Sequence, residues 1–473
     1  MASPNISFDS IPSSIRKPGK YFEFNTKLAV RTLPVNDQKV LLIGPMLATG
    51  LQAPLTPVDI FSDEDAAVYF GRGSVAHLMA RSAIKSYGYV RLSMIGVLDS
   101  GAGVVATGTV TLTGPATSSG QVSLLINNTQ VDIAVTNGDT ANALATKLRT
   151  AISALDDLPV TASVAGAVIT LTCRHKGSVG NEIAVTSIIT ATGVTAAIVA
   201  MNAGAGDPDI TPALAAVYGA GHNIIACPFS TQTALTAMRT HSDAVSGPME
   251  KRGVITVAGW RGTLATGTTL AASLNDGRGT IGWYNGSAKM NAEIAAGYAA
   301  VIASEEDPAR PLNTLVIKSL DIIPLAKRPS RNEQENALYN GLTPFEVGSG
   351  DTVQIVRAIT TYTKDAVGTS DVSLLDLTTI RTLDYVRKAC DTRISLRFPR
   401  EKLSDKTAPK VRSELLDVLY KLEDLEIIEA VDDNKAMLIV ERDSQDVNRL
   451  NAAIPSDVVN GLHVFAGRID LLL

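Results

Sequence analysis

Short apolar runs alternate with segments of helical spacing over the first hundred residues. Val40–Gly44 is an apolar run typical of a buried strand, and Ser62 stands before three acidic residues that favour the start of a helix. The pattern predicts a helix over Val58–Tyr69, a second helix over Ser74–Tyr87 and a strand over Tyr89–Val97. This order of elements indicates the beginning of an α/β domain.

The pattern changes at Asp99, where the chain becomes rich in Thr, Val, Ala, Gly and Ser and nearly empty of aromatic residues. One helix is predicted over about Thr140–Leu155, because Leu144, Leu148 and Ile152 recur at helical spacing. Alternating runs predict six strands of a half-exposed sheet: Gly108–Thr113, Gln121–Ile126, Val131–Val135, Val160–Val164, Val168–Cys173 and Glu182–Ile188. We therefore predict a β-rich domain inserted into the α/β domain.

The α/β pattern resumes over residues 209–368. A helix is predicted from Ser230 to about Val245, and a second over Asn291–Ser304. Apolar runs predict four further strands, at Asn223–Cys227, Gly253–Ala258, Gly279–Tyr284 and Val353–Tyr362.

Residues 370–457 have a different pattern. Two amphipathic helices are predicted, from Leu374 to about Leu396 and from Pro409 to about Leu425. Beyond them, Glu426–Val431 and Ala436–Glu441 flank Asp432–Asn434, which predicts a β-hairpin. Two helices and a hairpin indicate a small α+β domain.

Both ends of the sequence are expected to be extended. Four prolines between residues 4 and 34 disfavour helix, so this segment is either an edge strand of the first domain or an arm. Residues 461–473 are strand-like and apolar, and need cover either from their own domain or from a sheet edge of a neighbouring copy. The residues predicted to contact a neighbour are Pro18, Tyr21, Phe22, Phe24, Val464, Phe465, Ile469, Leu471, Leu472 and Leu473.

The predicted fold class is a multidomain α/β and α+β protein. It has a discontinuous α/β core, a β-rich insertion, a small C-terminal α+β domain and two extended arms. The predicted boundaries are 1–30 for the N-terminal arm, 31–98 and 207–368 for the core, 99–206 for the insertion, 369–458 for the C-terminal domain and 459–473 for the C-terminal arm.

Composition limits the functional classes. Among 473 residues the net charge is −5, so the chain lacks the basic surface expected for direct nucleic-acid binding. Three widely spaced cysteines favour a reducing compartment, and the first ten residues do not resemble a secretory signal. The apolar run Val40–Ile43 is too short to span a bilayer. We expect a soluble protein made in a cytoplasm, without membrane insertion.

No arrangement of residues predicts catalysis. Gly101–Ala106 matches a dinucleotide-binding pattern, but the residues that follow read as a strand where that motif needs a helix. Glu305–Asp307 is expected to be a solvated loop, and Cys390 lies on the apolar face of its helix. Five histidines have no metal-ligand spacing: His77, His175, His222, His241 and His463. We therefore expect no enzymatic activity, no cofactor and no metal.

The segment 381–402 is locally basic in an acidic chain. Its charges form either a solvated helix face or an electrostatic contact with an acidic partner surface. The candidate contact residues are Arg381, Arg387, Lys388, Arg393 and Arg397.

Four stretches resemble the tail sheath proteins of Mu-like contractile phages and prophages. They are Ile11–Tyr21 with the following Glu23–Asn25, Tyr69–Ser74, Arg174–Ile183 and Ile454–Leu462. The resemblance implies a subunit that polymerises helically around a tail tube and contracts to drive the tube through a host envelope. It also implies partners (further copies of itself, the tail tube protein, and baseplate and tail terminator proteins) and a place in the virion after assembly in the host cytoplasm.

Two other functional classes remain open from the residues alone. One is a non-contractile tube or surface-layer protein that self-assembles through the same arms. The other is an α/β enzyme with an unrecognised site. Formation of hollow striated tubes would favour the sheath, whereas turnover of a small molecule by a monomer would favour the enzyme.

Overall fold

The computed structural model describes residues 15–22 and 33–472. In chain order its strands are β1 (Lys39–Pro45), β2 (Val58–Ile60), β3 (Arg91–Val97), β4 (Val105–Leu112), β5 (Gly120–Ile126), β6 (Thr129–Val135), β7 (Val160–Ala165), β8 (Val168–Lys176), β9 (Val185–Ile189), β10 (Ala196–Asn202), β11 (Ile224–Ala226), β12 (Ile255–Trp260), β13 (Gly279–Trp283), β14 (Thr343–Gly348), β15 (Thr352–Ile355), β16 (Ile428–Glu429), β17 (Ile439–Arg442), β18 (Leu450–Ala453) and β19 (Asp457–Val458).

The α-helices alternate with these strands. They are α1 (Asp63–Phe70), α2 (Val75–Ser86), α3 (Ala141–Ser153), α4 (Thr211–Ala216), α5 (Gln232–Ser246), α6 (Leu264–Leu274), α7 (Asn291–Ser304), α8 (Arg331–Tyr339), α9 (Leu377–Arg397), α10 (Thr407–Asp424) and α11 (Val431–Asn434). None of the helices in the described ranges is long and apolar enough to cross a membrane.

An eight-stranded sheet forms the centre of the molecule, in the order β15-β14-β13-β12-β11-β1-β3-β2. The six strands from β14 to β3 are parallel, and the outermost strand on each side is antiparallel to its neighbour. Val40–Ile43 is fully buried, which confirms the strand predicted there. Parallel strands are covered on both faces and therefore read as continuous apolar runs.

Helices α2 and α7 pack against each other and against the central sheet. Helix α7 is buried along almost its whole length, which agrees with its nearly uninterrupted sequence of Ala, Ile, Val and Tyr. The side chain of Ser62 accepts a hydrogen bond from the Asp65 amide and caps α1. The helix predicted from Val58 is wrong at its start, since Val58–Ile60 pairs with β3 as an edge strand.

Strands β4 to β10 form two further sheets, in the orders β10-β4-β8-β7 and β6-β5-β9. Helix α3 packs against β6 and β7 and buries Leu144, Leu148 and Ile152, which confirms the helix predicted from their spacing. The strand predicted over Glu182–Ile188 begins only at Val185, because Ser178–Glu182 forms a 3-10 turn.

Buried polar contacts join these two sheets to the central one. Glu182 accepts hydrogen bonds from the backbone and side-chain nitrogens of Asn291, at 2.8 and 2.9 Å. Two residues further along α7, Glu293 accepts a 2.7 Å hydrogen bond from Asn127. His175 accepts from the Val75 amide through Nε2, and its Nδ1 lies 2.8 Å from Asp99. Because burying such groups without partners is costly, these contacts favour a single orientation of the two smaller sheets against the central sheet.

The C-terminal region has its own apolar core between α9 and α10, including Val386, Val418 and Leu422. The hairpin predicted around Asp432–Asn434 is wrong. Those residues lie in the short helix α11, and the flanking strands pair elsewhere, β16 with β19 and β17 with β18.

Local polar contacts explain the helical turn. Lys435 lies 2.7 Å from Asp432 at i,i+3 spacing, and the Tyr420 hydroxyl donates to the same carboxylate. The amide of Val431 donates to Glu423 of α10, and Val431 itself is buried. Tertiary contacts thus replace the turn that the Asp-Asp-Asn sequence favours.

Close packing of β1 on α2 leads to a stability prediction. A methyl group at Gly44 would lie 2.7 Å from the Cα atom of Ala76, inside van der Waals contact with backbone. Gly44→Ala is therefore expected to lower the free energy of unfolding by about 1–3 kcal/mol, measured by urea denaturation of unassembled subunits. Gly101→Ala is the matched control, since its Cβ meets no atom within 4 Å. Equal effects of the two changes would contradict this packing.

Candidate assembly surfaces

The C-terminal arm stays against the body only as far as His463. The imidazole Nδ1 lies 2.9 Å from the Asn313 side-chain nitrogen, and Nε2 lies 3.5 Å from the Asp376 carboxylate. Burial, with a smaller effect from the nearby Arg357, lowers the pKa of His463 despite the opposing effect of Asp376. A neutral, largely buried ring at this position marks the point where the arm leaves the body.

Beyond His463 the apolar side chains of the arm are exposed. Phe465 is 87% exposed, Ile469 100% and Leu472 91%, and Val464 and Leu471 are similar. Residues 459–472 form no strand in the described part of the chain. Large apolar side chains rarely extend into water in such a run unless another surface covers them. Leu473 lies outside the described residues.

The N-terminal arm shows the same property over the residues that are described. Residues 15–22 form neither helix nor strand, and Phe22 is 86% exposed. The Tyr21 hydroxyl donates to the backbone oxygen of Lys17, four residues earlier, and Pro18 lies between them. Phe24 lies outside the described residues.

The arginines of α9 are not an exposed basic face. Arg393 is 4% exposed and donates to Glu414 at 3.0 Å and to Asp417 at 2.5 Å. Arg397 lies 3.5 Å from the same Glu414 carboxylate, and Arg381 is buried against the core. The expectation of an exposed charged face is therefore wrong for these three residues. Helix α10 covers Arg393 and Arg397, and the core covers Arg381.

Asp384 holds the N-terminal half of α9 on the core. Arg278 grips its carboxylate through both terminal nitrogens, at 2.7 and 3.0 Å, and Arg387 adds a 2.8 Å bond. Arg387 also donates to the Ser246 carbonyl, and Lys388 donates to the Val35 carbonyl at 2.8 Å. Bidentate pairing gives directional strength that a single contact lacks. The role of Asp384 has no signal in the sequence, because its partner Arg278 is 106 positions away.

An apolar groove lies between α9, α10 and β18. Its volume is about 600 Å³, and its walls include Val386, Cys390, Phe398, Leu450 and Ile454. The adjacent sheet has only two strands, β17 and β18, so both of its outer edges lack a partner within the described ranges. Open edges beside an apolar groove are the features used in strand addition.

The cysteines and the glycine-containing run considered for chemistry occupy structural positions. All three cysteines are buried, and burial raises the pKa of Cys390 and Cys173 to about 11 and of Cys227 to about 12, which leaves unreactive thiols at neutral pH. Gly101–Ala106 leads into strand β4 rather than a helix. No group of three or more His, Cys, Asp or Glu residues suited to a metal occurs within residues 15–22 and 33–472.

Comparison with known families assigns this architecture to a class. The model of the phage tail sheath protein central domain matches residues 203–361, and that of the phage tail sheath C-terminal domain matches residues 369–471. The class is that of tail sheath proteins.

A full-length relative extends the assignment to the whole chain. The Mu-like prophage FluMu tail sheath protein of Haemophilus influenzae is 35% identical over 489 aligned residues, covering 99% of this chain and 100% of that protein. The chain therefore belongs to the phage tail sheath protein family, and the resemblance found in its sequence motifs is confirmed.

Solved structures share the fold. The sheath tail protein of Desulfitobacterium hafniense has a TM-score of 0.51 at 15% identity, covering 94% of this chain and 97% of that one. The sheath tail protein of Listeria innocua has a TM-score of 0.52 at 14% identity, covering 92% and 94%. A chain of the anti-feeding prophage baseplate has a TM-score of 0.51 at 10% identity, covering 97% and 100%. The predicted mixed α/β fold with several sheets is thus confirmed.

The ion pairs of Arg393 lead to a second stability prediction. Arg393→Gln is expected to destabilise the packing of α9 on α10 by about 1.5–3 kcal/mol, because Glu414 and Asp417 lose a charged donor. Hydrogen exchange of α9 and α10 amides measures the change. Arg400→Gln is the control, since Arg400 is exposed on the same chain segment. Unchanged protection in the Arg393 variant would show that the pair contributes nothing.

Proposed function

We propose that this sheath subunit polymerises helically around a tail tube by donating both arms to neighbouring copies, and that the polymer contracts to drive the tube through a host envelope. The observation that carries the proposal is the run of exposed apolar side chains between Val464 and Leu472. Each large apolar side chain gains about 1.5–3 kcal/mol when it is buried. A second copy of the chain supplies the required cover.

The acceptor for a donated arm is the C-terminal region of a neighbour. The open edges of the β17–β18 sheet offer unpaired backbone groups, and the adjacent groove offers apolar side chains such as Leu450 and Ile454. An arm that adds a strand there would satisfy the edge and place its apolar residues in the groove. Contacts between different patches of identical subunits extend into a helix when they do not close into a ring.

Contraction requires arms that stay attached while bodies rotate. His463 fixes the root of the C-terminal arm on the body, and the exposed residues after it form a tether. The body itself resists deformation, since Glu182, Asn127 and Asp384 connect its parts through buried hydrogen bonds. We propose that stored conformational energy drives the change.

The remaining assignments follow the sheath family. The C-terminal domain, residues 369–458, faces the tube and the insertion, residues 99–206, faces outward. Partners are the tail tube, baseplate and tail terminator proteins, and the assembled object belongs to the virion after formation in the host cytoplasm. Of the basic residues on α9, Arg387 and Lys388 keep exposed surface and are the candidates for tube contact. Family membership does not favour the surface-layer alternative.

Polymerisation is tested by charging the arm. Ile469→Asp with Leu471→Asp is expected to abolish tubes in electron micrographs and leave a folded subunit in sedimentation, because no neighbour can bury the new carboxylates. Asp470→Asn is the control within the same segment, as it keeps the apolar residues. Deletion of Leu471–Leu473 is expected to act like the double variant.

Two results would overturn the proposal. Tubes that persist in the charged variant would show that the arm does not link subunits. A subunit that unfolds on the same change would show that these side chains complete their own core. A mixing experiment sharpens the test. The arm variant keeps an intact groove, and Ile454→Glu alters the groove but keeps an intact arm. A mixture of the two variants is expected to form short complexes but no tubes, because each pair of subunits has one intact arm and one intact groove.

A further inference from the structure

A second cavity, of about 420 Å³, lies where the central sheet meets α9. Its walls include the residues at the amino ends of β1, β11 and β12, among them Lys39, Asn223 and Ile255. Helix α9 closes the other side with Arg381 and Lys388. The apolar groove is lined by other residues of the same helix, such as Val386 and Cys390, and shares only Lys251 with this cavity among the lining residues.

Positive charge predominates in this cavity. Five cationic side chains line it (Lys39, Lys251, Arg252, Arg381 and Lys388) against the two carboxylates of Asp37 and Asp384. Asp384 is already held by Arg278 and Arg387, and Asp37 lies 2.5 Å from Arg91. Both carboxylates of the cavity are therefore paired with arginines and do not neutralise its lysines.

Outside the cavity, two of the cations have carboxylate partners. Lys251 pairs with Asp391 at 2.7 Å, and Arg252 lies 2.6 Å from Glu250. Lys39 has no ion pair within the described ranges, and Lys388 donates only to the carbonyl of Val35. Among residues 15–22 and 33–472, no carboxylate therefore contacts Lys39, Lys388 or Arg381 to neutralise its charge.

Arg381 is the unusual member of this group. It is 7% exposed, and one terminal nitrogen donates to the Glu305 carbonyl at 2.5 Å. Its Nε and Nη1 atoms are buried without a hydrogen-bond partner among residues 15–22 and 33–472. Burial lowers the pKa of Arg381 to about 10, although Glu305 and Asp307 act in the opposite direction. The charge of this guanidinium is therefore buried in the cavity wall with one hydrogen bond, to a carbonyl, among the described residues.

His222 adds a neutral donor at the same place. Burial, followed by the charge of Lys39, lowers the pKa of His222 to about 4, so the ring is uncharged at neutral pH. A neutral imidazole donates one N–H and repels no anion. The depressed pKa is also consistent with a positive potential in the cavity.

We propose that this cavity binds an oxyanion, a phosphate or a carboxylate, between Lys39 and Lys388 at its rim, with the N–H of His222 beside them and the buried charge of Arg381 in its wall. The ammonium groups and the imidazole N–H supply donors to such an anion, and the buried guanidinium adds positive potential. The source is either a free phosphate compound or an acidic side chain of a second copy. A bound anion would connect β1 with α9 and so strengthen the attachment of the C-terminal region to the core.

Binding is tested on the full chain by equilibrium dialysis with radiolabelled inorganic phosphate and pyrophosphate. The double variant Lys39→Gln with Lys388→Gln is expected to bind at least about tenfold more weakly than the unchanged protein, because two charged donors are lost. Lys85→Gln is the matched control, since Lys85 is exposed on α2 and does not line the cavity. Both lysines of the double variant are exposed, so its fold should persist.

The two sources give different results on assembly. Phosphate that stays bound in assembled tubes identifies a free phosphate compound as the ligand. A second copy's carboxylate in contact with Lys39 or Lys388 in a cryo-EM map of the tubes identifies the other source, and phosphate is then displaced on assembly. The proposal is overturned if the double variant and the unchanged protein bind phosphate equally. It is also overturned if neither subunits nor tubes bind it and the cavity is empty in the map.

Discussion

The apolar side chains that are exposed in the described part of the C-terminal arm are the constraint on which the proposed assembly depends. Phe465, Ile469 and Leu472 extend into water from a body whose own core is already complete. Burial of such side chains is the largest favourable term in protein association, and it has no preferred direction. Backbone pairing at a sheet edge supplies the direction that apolar contact lacks. The combination suits a link that must be both strong and deformable.

The body, in contrast to the arms, is held together by polar contacts between its parts. Its parts meet through buried hydrogen bonds and ion pairs, of which Asp384 with Arg278 and Glu293 with Asn127 are the clearest. Such contacts permit few alternative geometries, since a shifted interface would leave buried charge without a partner. Rigid bodies connected by apolar tethers can change their mutual arrangement without unfolding, which is the behaviour a contractile sheath requires.

Local sequence patterns predicted the helices with regularly spaced apolar residues and the strands with continuous apolar runs. Helix α3 follows from three apolar residues at helical spacing, and β1 from a continuous apolar run. The hairpin near Asp432 failed, because contacts from Tyr420 and Glu423 on α10 select a helical turn there. The basic character of α9 was visible in the sequence, but whether Arg393 faces solvent or Glu414 depended on α10, whose Glu414 lies 21 positions further along the chain.

The sequence by itself determined the sheath family, the alternation of strands and helices, and the apolar character of both arms, because each of these is encoded in contiguous residues. Only the tertiary structure decided which charges are buried, that the arm separates from the body at His463, and that Lys39 and Arg381 line one cavity. The physical reason is distance along the chain. Lys39 and Arg381 are more than three hundred positions apart, and no periodic pattern connects residues that meet only when the sheet and α9 come together.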